Sequence, residues 1–173
     1  MDIEIPKKQI NDLKLTWRIF SGESPIELFF NHQTKPPRTL FVTDETTFMQ
    51  NVVAHNLQNY TCYFGLQDRR ADLNQPGTNA DITAIKWFYI DLDPNKPTKE
   101  LCSSNEEKAA ALEAAKKISG DSVESGYQEP ILMDSGNGYW LFFRIPEITV
   151  NDDNRTEIAA RLKIWGQKIA GIY

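Results

Sequence analysis

The segment Ile85–Leu92, IKWFYIDL, is the most continuous apolar run outside the C-terminal third, and it constrains the fold more than any other feature. A short run rich in aromatic and β-branched side chains reads as a buried strand, which needs neighbouring strands and a packed layer against it. Asp93-Pro94-Asn95 ends it. Asp91 and Asp93 are then residues i and i+2 of extended chain, leaving on the same side with Cα atoms about 6.6 Å apart. Two carboxylates at that spacing suit a hard divalent cation, Mg²⁺ or Mn²⁺, bridging to the phosphates of a substrate. Strand ends often carry solvated acids, so spacing alone decides little. Position adds weight, because open α/β sheets place ligands at the carboxyl ends of their strands.

The rest of the chain supplies partners for that strand. Residues 1–13 are polar and read as a loose lead-in, and Lys14–Phe20 (KLTWRIF) alternates like a strand. Ser24-Pro25 reads as a helix start ahead of IELFF, with Ser as N-cap and Pro at N1. Gln33–Arg38 holds two prolines and breaks the pattern before a short strand at Thr39–Val42. Thr43 or Asp44 caps a helix to about Leu57, with Phe48, Val52 and Val53 on one face. Tyr60–Gly65 is a strand, followed by a polar loop, Leu66–Ala80.

Beyond the central strand, Ser104 and Glu107 make a capping box for an alanine-rich helix ending near Ile118. Ile131–Asp134 and Tyr139–Ile145 are apolar runs joined by Ser135-Gly136-Asn137-Gly138, a hairpin signature because Asn-Gly tolerates φ > 0. Asp153–Ala170 is helical, with Ile158, Leu162, Trp165 and Ile169 spaced 4, 3 and 4 apart. Gly171 reads as its cap, and Ile172-Tyr173 as the start of a further strand. The expectation is a single α/β domain over residues 1–173, a mixed sheet with helices on one face. From Ile85 onward the order matches an RRM-like split unit.

The Ser-Gly-Asn-Gly turn has two readings. A tight turn with no further role explains it. The same glycines would also let successive backbone N–H groups and the Ser135 hydroxyl converge on a phosphate. Arg69 and Arg70 read either as solvated surface charge or as a phosphate clamp, since a guanidinium grips phosphate with two bonds. Arg144 faces either the working side of the sheet or solvent. Trp87, Phe88 and Tyr89 read as core rather than as a base-stacking platform.

Composition excludes several classes. The chain of 173 residues has 19 Lys+Arg against 24 Asp+Glu, a net charge of −5, so attraction to nucleic acid requires a local basic patch. Its two cysteines, Cys62 and Cys102, build no disulfide framework, and His32 and His55 do not make a zinc set. No apolar run approaches the roughly 20 residues that span a bilayer, and the polar start MDIEIPKKQ is no signal peptide. A cytoplasmic protein without a membrane partner is the expectation.

Taken together, FYIDLDP, the helix after it and ILMDSGNGYWLFFRI resemble the archaeo-eukaryotic primase superfamily, most closely the primase–polymerase domains of plasmids, phages and mobile elements. The resemblance covers about residues 60–146. It implies an RRM-like catalytic core and assigns Asp91 and Asp93 as metal ligands for Mg²⁺ or Mn²⁺. Ser135, Gly136, Asn137 and Gly138 would be the nucleotide-binding turn, with Trp140 on the strand that follows it; Arg144, from its place on that strand, is a further nucleotide-binding candidate. YFGLQDRR places Arg69 and Arg70 near template or nucleotide. The partners implied are template and primer DNA, a (d)NTP and, in a longer protein, a helicase domain.

The resemblance departs at two places. The family's strand carries a histidine where this chain has Trp140, which offers one neutral N–H and no protonatable imidazole. The family's third motif, with a further metal-binding acid, would follow the helix Asp153–Ala170, so a continuation beyond Tyr173 is expected to carry it. The implied function is template-directed nucleotidyl transfer. The alternative is a catalytically impaired or non-catalytic module, derived from a primase, that binds nucleotide or single-stranded nucleic acid. A metal-dependent nuclease also uses paired acids, but no further Glu-x-Lys constellation lies near these two.

Overall fold

The computed structural model describes residues 6–70, 72–73, 75–94 and 102–170. Over the described residues the chain is a mixed α+β protein with four α-helices and two antiparallel sheets. It divides into two compact units, Met1–Ala84 and Ile85–Tyr173. The expected strand at Ile172-Tyr173 and cap at Gly171 lie outside the described residues, as does Asn95.

The first unit begins with helix α1 (Lys7–Phe20), where a strand was expected at Lys14–Phe20, and the helix also takes in residues 7–13. The segment KLTWRIF carries both periods. Ile10, Leu13, Trp17 and Phe20 make a helical stripe, and Leu13 and Trp17 pack on the core, which settles the choice. The next segment reverses the expectation in the other direction. Ile26–Asn31 is strand β1, not a helix behind Ser24-Pro25. Ile26, Leu28 and Phe30 alternate inward and are almost fully buried, each such side chain contributing roughly 1.5–3 kcal/mol. Tertiary burial at period two outweighs the local capping signal.

Strand β2 (Arg38–Val42) pairs with β1, and β3 (Thr61–Phe64) pairs with its other edge, all antiparallel. Helix α2 (Glu45–Asn56) starts where Asp44 accepts the Thr47 N–H at 2.8 Å, and Phe48 enters the core beside Trp17. The polar stretch before Ala80 contains a two-residue strand, β4 (Asp68–Arg69), which pairs with Ile82 and Ala84.

Those two residues open β5 (Ile82–Leu92), which continues into the second unit and there neighbours β7 (Tyr139–Thr149), itself paired with β6 (Ile131–Asp134). Between β5 and β6 runs α3 (Asn105–Glu124), begun by the reciprocal Ser104–Glu107 box. It extends six residues past the expected end at Ile118. Gly120 does not stop it; Gly126 does, at φ +87°, where Gly126 N–H bonds Val123 and Tyr127 N–H bonds Ser122. Helix α4 (Arg155–Ala170) follows β7. Both helices cover the same face: Ala115, Ile118, Leu141 and Phe143 form the core with Phe88, Ile90 and Leu92, and Trp165 meets Phe88 edge-on at 4.7 Å. No helix among the described residues is long and apolar enough to cross a membrane.

Candidate functional site

With Phe88, Ile90 and Leu92 committed to the helices, strand alternation sends Trp87, Tyr89 and Asp91 to the opposite face. On β7 the same rule leaves Leu141 and Phe143 in the core and turns Trp140, Phe142 and Arg144 toward that opposite face. The contacts agree: Tyr89 lies 6.1 Å from Phe142, Trp140 lies 6.1 Å from Phe142, and the Arg144 guanidinium sits 5.1 Å from the Trp87 ring. Arg144 therefore shares the face of Asp91. Of the three aromatics expected in the core, Trp87 is buried and Phe88 packs under α4, but Tyr89 is 54% exposed, two residues from Asp91. For Tyr89 the core expectation is wrong, because its side chain points away from both helices.

Asp91 is anchored. Its Oδ1 accepts the Trp140 indole N–H at 2.8 Å, across 49 residues of sequence. Desolvation, and then the neighbouring Asp93 charge, push its carboxyl above the ordinary carboxylate range, with the Trp140 bond pulling the other way. A proton or a cation relieves this arrangement. Among the described residues no group of three or more His, Cys, Asp or Glu is placed to hold a metal ion. The acids form a pair.

The turn between β6 and β7 meets this pair. A Cβ on Gly138 would overlap the Leu92 carbonyl oxygen and lie 2.7 Å from Asp93 Oδ1. Only glycine permits the backbone of the turn to pass so close to the end of β5. Gly136 plays a different part: it adopts φ +93° with open space around it. The two sequence motifs thus come together at Gly138 and Asp93, and again at Trp140 and Asp91.

The turn also closes on itself. Ser135 N–H bonds the Gly138 carbonyl at 3.1 Å, Gly138 N–H bonds Ser135 Oγ at 2.9 Å, and Gly136 N–H bonds Asp134 Oδ1 at 2.7 Å. The glycine N–H groups are therefore engaged within the turn, while the Ser135 hydroxyl accepts there and keeps its own proton to donate. Two residues that pattern reading did not single out hold the turn from the side of α3. Ser103 donates through Oγ to the Asn137 carbonyl, and Lys108 bonds Asp134 Oδ2 at 2.8 Å. The Asp134 bond holds the Lys108 ammonium above its ordinary range. A lysine one turn into a capped helix carries no sequence signal for this contact.

Arg69 and Arg70 lie in the first unit. Arg69 Nε meets the Glu27 carboxylate at 3.0 Å and Nη1 donates to the Thr78 carbonyl at 3.1 Å. Glu27 is only 6% exposed and also accepts from Gly77 N–H at 2.7 Å and Thr39 at 3.2 Å. Arg70 pairs with Asp81 at 3.1 Å and Asp72 at 3.6 Å. Both guanidiniums are already matched to carboxylates in that unit.

Comparison with protein-family models, with curated proteins and with solved structures finds no significant match.

Proposed function

We propose that the second unit is the nucleotidyl-transfer site of a primase–polymerase-type protein of the archaeo-eukaryotic primase superfamily, acting on DNA and (d)NTP. One observation carries the reading: the acid-bearing strand end and the Ser-Gly-Asn-Gly turn pack together at Gly138, which no side chain could replace without displacing Asp93. The element order β5-α3-β6-β7-α4, with strands side by side as β5-β7-β6, supports an RRM-like core in the same sense.

Asp91 and Asp93 are hard oxygen donors whose mutual repulsion a dication would remove, so they fit Mg²⁺ or Mn²⁺. Bound there, the ion supplies Lewis-acid neutralisation of the triphosphate. The remaining work falls to the chain. Trp140 fixes the Asp91 carboxylate by its N–H bond, leaving the second oxygen to face the ligand. Ser135 has a hydroxyl proton to donate to a phosphate oxygen, and Arg144 brings positive charge to the Asp91 face.

A second reading, a nucleotide-binding module without transfer, is favoured by the Trp140–Asp91 bond itself, which occupies a carboxylate oxygen that an ion would otherwise share. Manganese-dependent incorporation of labelled dNTP on a primed template separates the two. Incorporation by the parent and its loss in Asp91→Asn supports the first. Manganese-dependent dNTP binding without incorporation establishes the second, and neither binding nor incorporation refutes both.

A further inference from the structure

We infer that the first unit carries a contact site for the phosphodiester backbone of single-stranded nucleic acid, with Lys35 and Arg38 as its cations. The polymer's identity rests on the function proposed above, but the site uses neither Asp91 nor Asp93.

The charge distribution is the first observation. In a chain with 24 acidic residues, the stretches 28–43 and 46–67 contain no Asp or Glu at all. A protein of net charge −5 can hold a polyanion only through such a local patch.

The fold then brings the two acid-free stretches together. The loop between β1 and β2 and the turn between α2 and β3 wall a pocket of about 420 Å³, lined by Asn31, His32, Gln33, Thr34, Asn59 and Thr61. Its lining is amide, hydroxyl and imidazole, groups that both donate and accept and suit phosphate, sugar or base edges. Next along the same loop, Lys35 Nζ and, at the first residue of β2, the Arg38 guanidinium stand 5.5 and 5.7 Å from the centre of one ring, that of Tyr60, which lies in sequence between the pocket residues Asn59 and Thr61. Both cations are exposed, and neither pairs with a carboxylate among the described residues.

The loop is preorganised to hold this charge. His32 Nδ1 accepts the N–H groups of Thr34 at 3.0 Å and Lys35 at 3.2 Å, which places the ring proton on Nε2. Pro36 and Pro37 fix φ over the next two residues. Tyr60 is nearly fully buried, with the rings of His32 and His55 at 4.8 and 5.4 Å, so the platform under the cations is fixed. The opposite wall turns at Asn59, which adopts φ +64°, a conformation asparagine tolerates better than most residues. Among the described residues the two charges stand over the Tyr60 ring without a carboxylate partner, and a phosphodiester is a partner they fit.

The experiment is binding of a labelled 12-nucleotide oligothymidylate to the full chain in EDTA, over a series of salt concentrations. Lys35→Gln/Arg38→Gln is compared with the parent and with Lys163→Gln, an exposed charge in the other unit. Each phosphate neutralised on a single strand contributes about 0.7 to the slope of log K against log salt. The double variant should therefore lose about 1.4 of slope and bind roughly tenfold more weakly at low salt, and Lys163→Gln should keep both. An unchanged slope in a folded double variant overturns the inference, as does a parent that binds no strand. Displacement of the strand by equimolar tripolyphosphate assigns the patch to free phosphate instead and also overturns it. Strand binding with the expected slope, in a protein that incorporates no dNTP, leaves this site standing and removes the catalytic reading.

Discussion

The Trp140 indole N–H donates to Asp91 Oδ1 at 2.8 Å, so the tryptophan on β7 and the one acid of β5 are joined on the face opposite the helices. Removing the donor tests that link. Its bond lowers the Asp91 carboxyl against the upward pull of desolvation and Asp93. In Trp140→Phe the carboxyl should rise further, and Mn²⁺ binding, which needs the carboxylate, should require higher pH than in the parent. Calorimetric Mn²⁺ titrations across the acid range measure it. An unshifted pH midpoint would show that the bond is not maintained in solution.

Trp140→His asks the complementary question. A charged imidazole can give a phosphate oxygen a hydrogen bond worth about 1.5–3 kcal/mol, where the indole gives a neutral one already spent on Asp91. With allowance for imperfect geometry, dNTP binding with Mn²⁺ should tighten roughly 3- to 30-fold. A variant that melts much earlier and binds no better would mean that Trp140 serves to pack against Phe142.

Asp91 itself has a predicted pH signature. Its folded carboxyl lies above the unfolded value, so its proton favours the fold in acid, and that contribution is lost as pH rises through the folded value. Asp91→Asn keeps the shape and the acceptor for Trp140 while removing the charge. Without metal, the variant should melt with the parent at about pH 3, below the ordinary carboxylate range, and slightly above it at neutral pH. With Mn²⁺ the order should invert, because only the parent gains from the ion. Nucleotidyl transfer should fall at least about 100-fold in Asp91→Asn and in Asp93→Asn. A parent whose melting is indifferent to Mn²⁺ would remove the metal site.

Much of the frame was legible in local pattern. Asp44, the Ser104–Glu107 box and the Asn-Gly hairpin each rest on interactions between residues close in sequence, and the strand before Asp91 shows as an unbroken apolar run. The failures came where local signals competed. KLTWRIF satisfies both periods, and Ser24-Pro25 announces a helix that the burial of Ile26, Leu28 and Phe30 forbids. Tyr89 was misplaced for a related reason: an apolar run does not say which of its side chains the helices will cover. At the site, the acids and the turn could be found separately. Their junction at Gly138, the Trp140–Asp91 bond and the Lys108–Asp134 contact span 26 residues or more, and no short-range pattern encodes them.

The two glycines of the turn should behave unlike each other. Gly138→Ala forces a Cβ into the Leu92 carbonyl and Asp93, and backbone cannot swing aside as a side chain can. A loss of about 3 kcal/mol is expected, the upper end for overpacking, together with loss of Mn²⁺ binding as Asp93 is displaced. Gly136→Ala meets open space and suffers only the left-handed φ, about 1–2 kcal/mol. Urea unfolding of both variants gives the order, and equal losses would refute the close approach.

Arg69 separates a structural from a ligand-binding arginine. Its partner Glu27 is buried and holds three further elements in place: Gly77 N–H, the Thr39 hydroxyl and, through Arg69, the Thr78 carbonyl. Removing one member of a buried pair leaves the other charge uncompensated, at about 3–5 kcal/mol. In Arg69→Met the Glu27 carboxylate keeps its bonds from Gly77 N–H and Thr39, whereas Glu27→Ala removes the acceptor of all three donors at once, so Arg69→Met should cost less than Glu27→Ala, about 2 kcal/mol against about 4. The double variant Glu27→Leu/Arg69→Met should recover part of the sum, because neither charge is then stranded. Arg70→Met, whose guanidinium is more than half exposed, should cost under about 1 kcal/mol. Chemical denaturation of the four variants checks the order. If Arg69→Met were thermally silent and instead weakened dNTP binding, the guanidinium would belong to the ligand rather than to Glu27.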